Sequence, residues 1–423
     1  MKSFSFRSMS VRISDALGLT VLSKEFMRYC DMYICFLFFF NMNNIFVSTF
    51  LYKATNDYRV VMYYNIWLYV AQAIATFLGV MSIKKRSIFT STRMGILFHS
   101  VVYLAFMIFG EKLADYYPLI AIFFALGGGF YWLAESVYIT SYTTDRHRDV
   151  AVGYTSLWSS ISSIAVPTFA GMLVSLFSGF TGYRVLFGIG FALTLVCVYL
   201  STRLAPVDRI DTSKPRFKEA FKEVFTIKAE RAVIAASVFR GTRDGVFSFI
   251  LSIMLFEMLQ NEAYIGLNSF ISGVAALISA WLYGKLVRPG NRGYWMKISV
   301  TVMVAVTALV FIKVDAVTII ILSLFTNLLA NFMINPVFIY GYMLVQVVPE
   351  AIDKRLEAQT MVQVFLYVGR VAGIVATLLM VSAGWGYIIP LGILTLLQYV
   401  TVWMTRVAKR EFEVYEIATD GEA

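Results

Sequence analysis

The sequence predicts an all-α membrane protein with about twelve transmembrane helices in two pseudo-symmetric six-helix bundles, both termini cytoplasmic. Three observations carry that expectation. Of 423 residues, 59% are hydrophobic and only 15% charged, with a mean hydropathy of +0.72; a soluble domain carries about 45–50% apolar and about 25% charged residues. The apolar residues fall in blocks of about 20, the length that crosses a hydrocarbon core of about 30 Å. None of the blocks alternates with a period of two, which excludes a β-barrel. Finally, the basic residues are distributed one-sidedly between the blocks. A soluble enzyme, a nucleic-acid binder and a single-span receptor are thereby ruled out, and the net charge of +10 reads as loop bias instead.

In chain order, a 1–30 N-terminal cytoplasmic or interfacial arm leads into spans at about 31–52, 61–82, 88–110, 117–141, 150–175 and 184–203. These form the N-terminal bundle, 31–203. A cytoplasmic linker, 204–230, follows. Spans at about 231–256, 264–286, 295–313, 316–347, 359–382 and 386–405 form the C-terminal bundle, 231–405, and a 406–423 tail ends the chain. The first apolar block starts near Met32, too far in for a cleaved signal, and reads as an uncleaved span. Cys30, Cys35 and Cys197 make no even-numbered framework, so neither a disulfide scaffold nor a zinc site is expected.

Orientation follows from Lys and Arg. Alternate loops, together with both termini, hold 28 of the 36 basic residues; the other side holds five, Lys53, Arg59, Lys112, Arg184 and Lys313. The positive-inside rule then places both termini in the cytoplasm and makes the number of spans even. In the linker, Phe217, Phe221 and Phe225 recur at helical spacing opposite lysines. That pattern predicts an amphipathic helix on the inner membrane surface, and Ile13, Leu17, Val21 and Leu22 repeat it more weakly in the arm.

Two signals mark the halves as repeats. The loop after the second span has Gly79 followed by Lys84, Lys85 and Arg86, while 205 residues on Gly284 is followed by Arg288, Gly290, Arg292 and Gly293. The charged run Asp145–Arg148 after the fourth span is echoed by Asp353–Arg355 after the tenth. On these motifs, and on its 6+6 organisation, the whole chain resembles the major facilitator superfamily, whose signature loop also carries an acidic residue that both loops here lack. Pro167 to Gly171 in the fifth span faintly resembles the proline–glycine motif of that family's drug:proton antiporters, but the arginine those antiporters carry in the fourth span is missing. The runs Gly127 to Trp132 and Arg240 to Gly245 look like those of poorly characterised bacterial members. Duplicated halves are the expected build of such transporters.

A charge at mid-membrane costs about 2.5–3.5 kcal/mol on insertion scales, so each one needs a reason. The candidates are Arg240, Arg243 and Asp244 in the seventh span, Arg370 in the eleventh and Glu135 in the fourth. The resemblance implies that the first, fourth, seventh and tenth helices line a central cavity flanked by the second, fifth, eighth and eleventh, and every one of these charges falls in those two sets. So do Asn41 and Asn44, three apart on one face, the stripe Asn327, Asn331, Asn335, and Gln72 and Gln363. Arg240 and Asp244, at i and i+4, read equally as a structural ion pair; Arg243 then faces substrate or pairs with Glu135. Arg370 reads as an anion-binding group or as the partner of a group on another helix. Glu135 and Asp244 are the coupling candidates, carboxylates able to carry a proton, with an interdomain salt bridge the alternative for Glu135. The asparagines double as helix–helix glue, and His99 on a peripheral span reads as packed.

The expected function is secondary active transport by alternating access of a small organic, amphipathic or anionic solute, proton-coupled, with efflux the favoured direction. A lipid or glycolipid flippase of the same fold, or a non-transporting membrane sensor or assembly factor, are the alternatives. No phosphate-cradling loop, nucleotide domain or metal-spaced cluster is present, so no enzyme activity, cofactor or metal is expected. The expected partners are the solute, membrane lipids and a proton, not nucleic acid, for a monomer in the cell membrane of a bacterium.

Overall fold

The computed structural model describes residues 22–143, 145–207, 214–348 and 354–420. Every regular element among them is helical. The first half comprises α1 (Lys24–Thr55), α2 (Tyr58–Lys85), α3 (Ile88–Phe109), α4 (Tyr117–Tyr142), α5 (Asp145–Ser175) and α6 (Thr181–Ser201), with a 3-10 segment (Gly110–Tyr116) between α3 and α4. The linker helix α7 (Phe217–Thr226) precedes α8 (Lys228–Phe247), α9 (Ile250–Leu259), α10 (Glu262–Leu286), α11 (Arg292–Ile312), α12 (Ala316–Leu328), α13 (Ala330–Val347), α14 (Arg355–Ser382), α15 (Ile388–Leu396) and α16 (Gln398–Asp420). Among the described residues, ten stretches are long and apolar enough to cross a membrane, and one of these, residues 88–139, runs over both α3 and α4. The α8–α9 segment is not among the ten, because Arg240, Arg243 and Asp244 interrupt its apolar run.

The N-terminal arm up to residue 21, and with it the amphipathic pattern from Ile13 to Val21, lies outside the described residues. Three expected spans are each divided: the seventh into α8 and α9, the tenth into α12 and α13, and the twelfth into α15 and α16. The breaks are local. After α8, Phe249 bonds three residues back to Val246 at 3.3 Å in place of the helical four, and Leu329 separates α12 from α13 two turns before Pro336.

Burial separates a lipid-facing shell from the core. Leu176, Ile312, Trp281 and Leu379 are 79%, 83%, 63% and 65% exposed, an apolar exterior that water would not tolerate at this extent. Inside the first half, α2 packs on α4 and α3 on α6; inside the second, α8 packs on α14 and α10 on α12. Among the described residues, the most extensive packing between the halves is of α2 with α14 and of α5 with α10, with α1 also meeting α9. At the α5–α10 crossing, Gly266 faces the carbonyls of Pro167 and Thr168, where an added Cβ would lie 3.2 Å from each. The proline–glycine motif of the fifth span thus serves close packing between the halves.

The linker helix α7 packs one side against the rest of the protein. Ala220 and Val224 are its buried residues, and Phe217 stacks edge-on against Phe77 of α2 at 5.0 Å. Phe221 and Phe225 are 52% and 57% exposed. One side of α7 therefore docks on protein, while Phe221, stacked on Phe365 at 6.4 Å, and Phe225 keep about half of their surface exposed.

Candidate substrate site

Arg243 and Arg370 each lie 15 residues from the start of their helix, roughly 22 Å along it, which is midway along the combined α8–α9 segment for Arg243 and near the middle of α14 for Arg370. Helices α8 and α14 bring the two arginines to one level by exceptionally close packing. A Cβ on Gly245 would lie 2.7 Å from the Arg370 Cα, and Gly241, Gly369 and Gly373 allow the same approach along the seam.

Each arginine is held differently. Arg240 pairs through Nε with Asp244 Oδ2 at 2.9 Å, with its guanidinium 4.7 Å from the Phe338 ring. Arg243 donates to Thr326 Oγ1 at 3.0 Å and lies 3.8 Å over the Phe247 ring. Arg370 stands over Tyr69 at 5.0 Å and Tyr367 at 5.6 Å, and Tyr69, on α2, shares a hydrogen bond of 3.2 Å with Ser248. The Nε groups of both Arg243 and Arg370 are buried and lack an acceptor among the described residues. Among the described residues, Asp244 is the carboxylate that acts electrostatically on both of these arginines while bonding Arg240. One carboxylate against three guanidiniums leaves the cluster positive. Helix breaks lie beside it: α8 ends four residues after Arg243, and α12 ends just after Thr326.

The remaining candidates divide between this cluster and elsewhere. Gln363 lines a small cavity of about 60 Å³ with Arg240, Ser237 and Phe338. Glu135 hydrogen-bonds Tyr33, with Tyr29 and Tyr131 around it, so Glu135 and Arg243 each have a different partner from the one the sequence offered. Asn41 donates to Ser162 of α5 at 2.9 Å. Asn331 donates to the Ala276 carbonyl of α10 at 3.2 Å, and Asn335 to Asn331 at 3.3 Å, while Asn327 bonds its own helix at Ser323. The Asn41 and Asn331 contacts tie neighbouring helices together in the present conformation, whereas those of Asn327 and Asn335 stay within their own helices. The Asn44 side chain lies outside the described residues. His99 is fully buried against Phe36, Phe39, Phe40 and Phe124, with Nδ1 2.8 Å from the Gly95 carbonyl, which fits the packed role. Among the described residues, no group of three or more metal-ligating side chains forms.

Sequence reasoning missed Tyr69, Tyr367, Ser248 and Thr326, the neutral groups that surround the arginines. With 25 tyrosines in the chain, no spacing singles out two of them. It also missed the closure at the basic end, where Lys84 Nζ meets Glu357 Oε1 at 2.8 Å with both side chains 3% exposed. The acidic residue absent from the loop after α2 is supplied instead by α14. At the other end, aromatic contacts join the halves: Tyr52 with Phe256 at 6.2 Å and Tyr58 with Tyr387 at 5.0 Å. The arginine level lies between these two closures.

A family model described as Major Facilitator Superfamily matches residues 32–351. An uncharacterized protein of Bacillus subtilis (strain 168), YqgE, is 25% identical over 343 residues, covering 81% of this chain and 79% of its own. Among solved structures, a D-xylose-proton symporter superposes with a TM-score of 0.68 at 13% identity, over 89% of this chain and 97% of that one. A bacterial homolog of the human lysosomal transporter Spinster gives 0.63 at 13% identity, over 93% and 99%. At such identities these structures establish the fold alone.

Proposed function

The chain belongs to the major facilitator superfamily, is a multi-pass membrane protein and is a secondary transporter in general kind; from that premise we propose that it moves a small organic solute bearing an anionic group. Its two six-helix bundles, acting as a monomer, rock about the α8–α14 arginine level. The observation that carries this reading is the pair of buried guanidiniums, Arg243 and Arg370, each with an Nε lacking an acceptor and only one shared carboxylate nearby. A buried cation without a counter-ion is costly, and a carboxylate or phosphate on the solute supplies both the charge and the acceptors. Phe247, Tyr69 and Tyr367 add aromatic faces, which suit an amphipathic compound. Glu135, hydrogen-bonded to Tyr33, is our coupling residue, since protonation would remove the charge on the acceptor and weaken its hold on the tyrosine. Efflux from the cytoplasm is the direction proposed, with both termini on the cytoplasmic side.

The test is a thermal-unfolding screen of purified protein against anionic solutes and their neutral amides or esters, because a ligand that binds only the folded state stabilises it by mass action. Anions should raise the midpoint and their neutral analogues should not, and Arg243→Gln or Arg370→Gln should weaken the response at least tenfold. Stabilisation by neutral analogues alone, undiminished in both variants, would sink the anion site. In vesicles, Glu135→Gln should remove dependence on a pH gradient; an unchanged profile takes Glu135 out of the coupling role.

A further inference from the structure

One seam on the outside of the second half, between α11 and the α15–α16 pair, carries two hollows. Near the start of α11, a cavity of about 550 Å³ is lined by Lys297, Arg406, Lys409 and Tyr294. Further along the same helices, a groove of about 330 Å³ is lined by Val304, Ala308, Phe311, Ile389, Gly392 and Leu396. Seven residues separate Lys297 from Val304, roughly 10 Å along the helix, which is the drop from a phospholipid phosphate to the upper part of its chains. Lys297 and Arg406 are exposed, and among the described residues neither has a carboxylate within ion-pair distance; Lys409 leans to Glu413 at 3.5 Å. Gly293 leaves the approach open, since even a Cβ there would reach only to 3.7 Å of Arg406.

The first half shows what the same place looks like when closed. Arg93 stands five residues from the start of α3, as Lys297 does from the start of α11. It donates to the Ser201 hydroxyl at 3.3 Å and to the Ser201 carbonyl at 3.4 Å, tying α3 to α6. In the second half, Thr405, which lies as far beyond Ser201 in the chain as Lys297 does beyond Arg93, turns its hydroxyl to the carbonyls of its own helix and to the Met296 sulfur, and Lys297 is left outside. The repeat therefore retains a cation at this level in both halves but uses it for packing only in the first. Tyr294 and Trp403, 63% and 60% exposed, flank the cavity on the lipid-facing surface, the amphipathic side chains typical of a membrane interface.

We propose that this seam binds an anionic phospholipid. Its phosphodiester lies between Lys297, Arg406 and Lys409, and one acyl chain lies along the Val304–Phe311 groove. Basic pockets between helices at the cytoplasmic level have the charge to hold such headgroups, and the groove supplies the apolar contact that a free phosphate would not use.

The test is thermal unfolding of the full-length protein in neutral detergent with phosphatidylglycerol, phosphatidylcholine or inorganic phosphate added. Phosphatidylglycerol should raise the midpoint saturably, whereas phosphatidylcholine and inorganic phosphate should leave it unmoved. The double variant Lys297→Gln/Arg406→Gln should weaken the phosphatidylglycerol response at least tenfold, Lys297→Arg/Arg406→Lys should keep it, and Arg93→Gln should not change it. An undiminished response in the double Gln variant, equal stabilisation by phosphatidylcholine, or the same effect from inorganic phosphate overturns the proposal. A second measurement needs no variant: photoactivatable phosphatidylglycerol on the wild-type protein should label α11, α15 and α16. Adducts spread evenly over the lipid-facing surface overturn it too.

Discussion

Arg240 and Asp244 show what a charge inside this protein requires. The guanidinium side chain is 6% exposed, the carboxylate 24%, and their 2.9 Å contact joins consecutive turns of α8. Removing one member of a buried pair leaves the other uncompensated, a loss of about 3–5 kcal/mol when both are fully buried; the partial exposure of Asp244 puts this pair toward the lower end. Arg370 has aromatic faces in place of a bonded carboxylate, so removing its charge relieves a cost. Asp244→Asn should therefore lower the unfolding midpoint of the purified protein more than Arg370→Gln does, and Asp244→Asn/Arg240→Gln should recover part of the loss. The reverse order of the single variants would assign Asp244 to the solute and not to Arg240. The five intramembrane charges were legible in the sequence because insertion energetics make each one conspicuous. Their surroundings were not, because Tyr69, Tyr367 and Thr326 are residues that any apolar span tolerates, and only the three-dimensional crossing of α2, α12 and α14 brings them to the arginines.

At the scale of elements, the repeated glycines of α8 and α14 decide how near the two helices come. Gly245→Ala places a methyl 2.7 Å from the Arg370 Cα, where backbone and not a flexible side chain must yield. Overpacking of that kind costs about 1–3 kcal/mol. Gly284, inside α10, meets nothing within 4 Å, and Gly284→Ala should instead stabilise by about 0.5–1 kcal/mol through helix propensity. Opposite shifts in midpoint are expected from the same chemical change, and a loss at both positions would refute the close-packing account. The start of α12 behaves differently, because its cap titrates. Asp315 accepts from the Thr318 amide at 2.8 Å and meets Lys313 at 2.7 Å, and these bonds hold its carboxyl down at about 2, against 3.8 ordinarily. A depressed folded value means that the contribution is complete above about pH 4 and is lost as pH falls toward 2. Amide exchange in the first turn of α12 should accelerate over that window, and with Asp315→Asn, which caps without titrating, it should not. Helix existence was legible from block length. The breaks at 248–249 and at Leu329 were not, since an apolar run reads the same whether or not its ladder is interrupted.

For the whole molecule the two closures are chemically unequal, and that inequality bears on how the halves would separate. The contacts at the end away from the basic loops are ring against ring. The basic end is closed by charge: Lys84 meets Glu357, Glu357 also accepts from the Arg216 amide at 3.2 Å, and Lys354 pairs with Glu223 of α7. The linker is therefore tied to the same point of α14 that holds α2. The sequence made the cluster Lys84, Lys85, Arg86 visible as a sidedness signal, yet it concealed that one of the three is buried, because its partner lies 273 residues away. Separating the halves at this end exposes both charges to water, which lowers the cost of parting them but forfeits a bond that is strong only while it is dry. Glu357→Gln keeps an acceptor and removes the charge, so it should favour the conformation open at the basic end by about 1–2 kcal/mol, five- to thirtyfold in population. Spin labels at the exposed positions Arg86 and Arg288, on the equivalent loops of the two halves, report this as growth of a longer distance population. Lys84→Glu, which places two acids together, should enlarge that population further, and Lys84→Glu/Glu357→Lys should restore the short one. If Glu357→Gln leaves the distance distribution where it was, the ion pair does not control opening, and the grip must lie in the packing of α7 against α8 and α14.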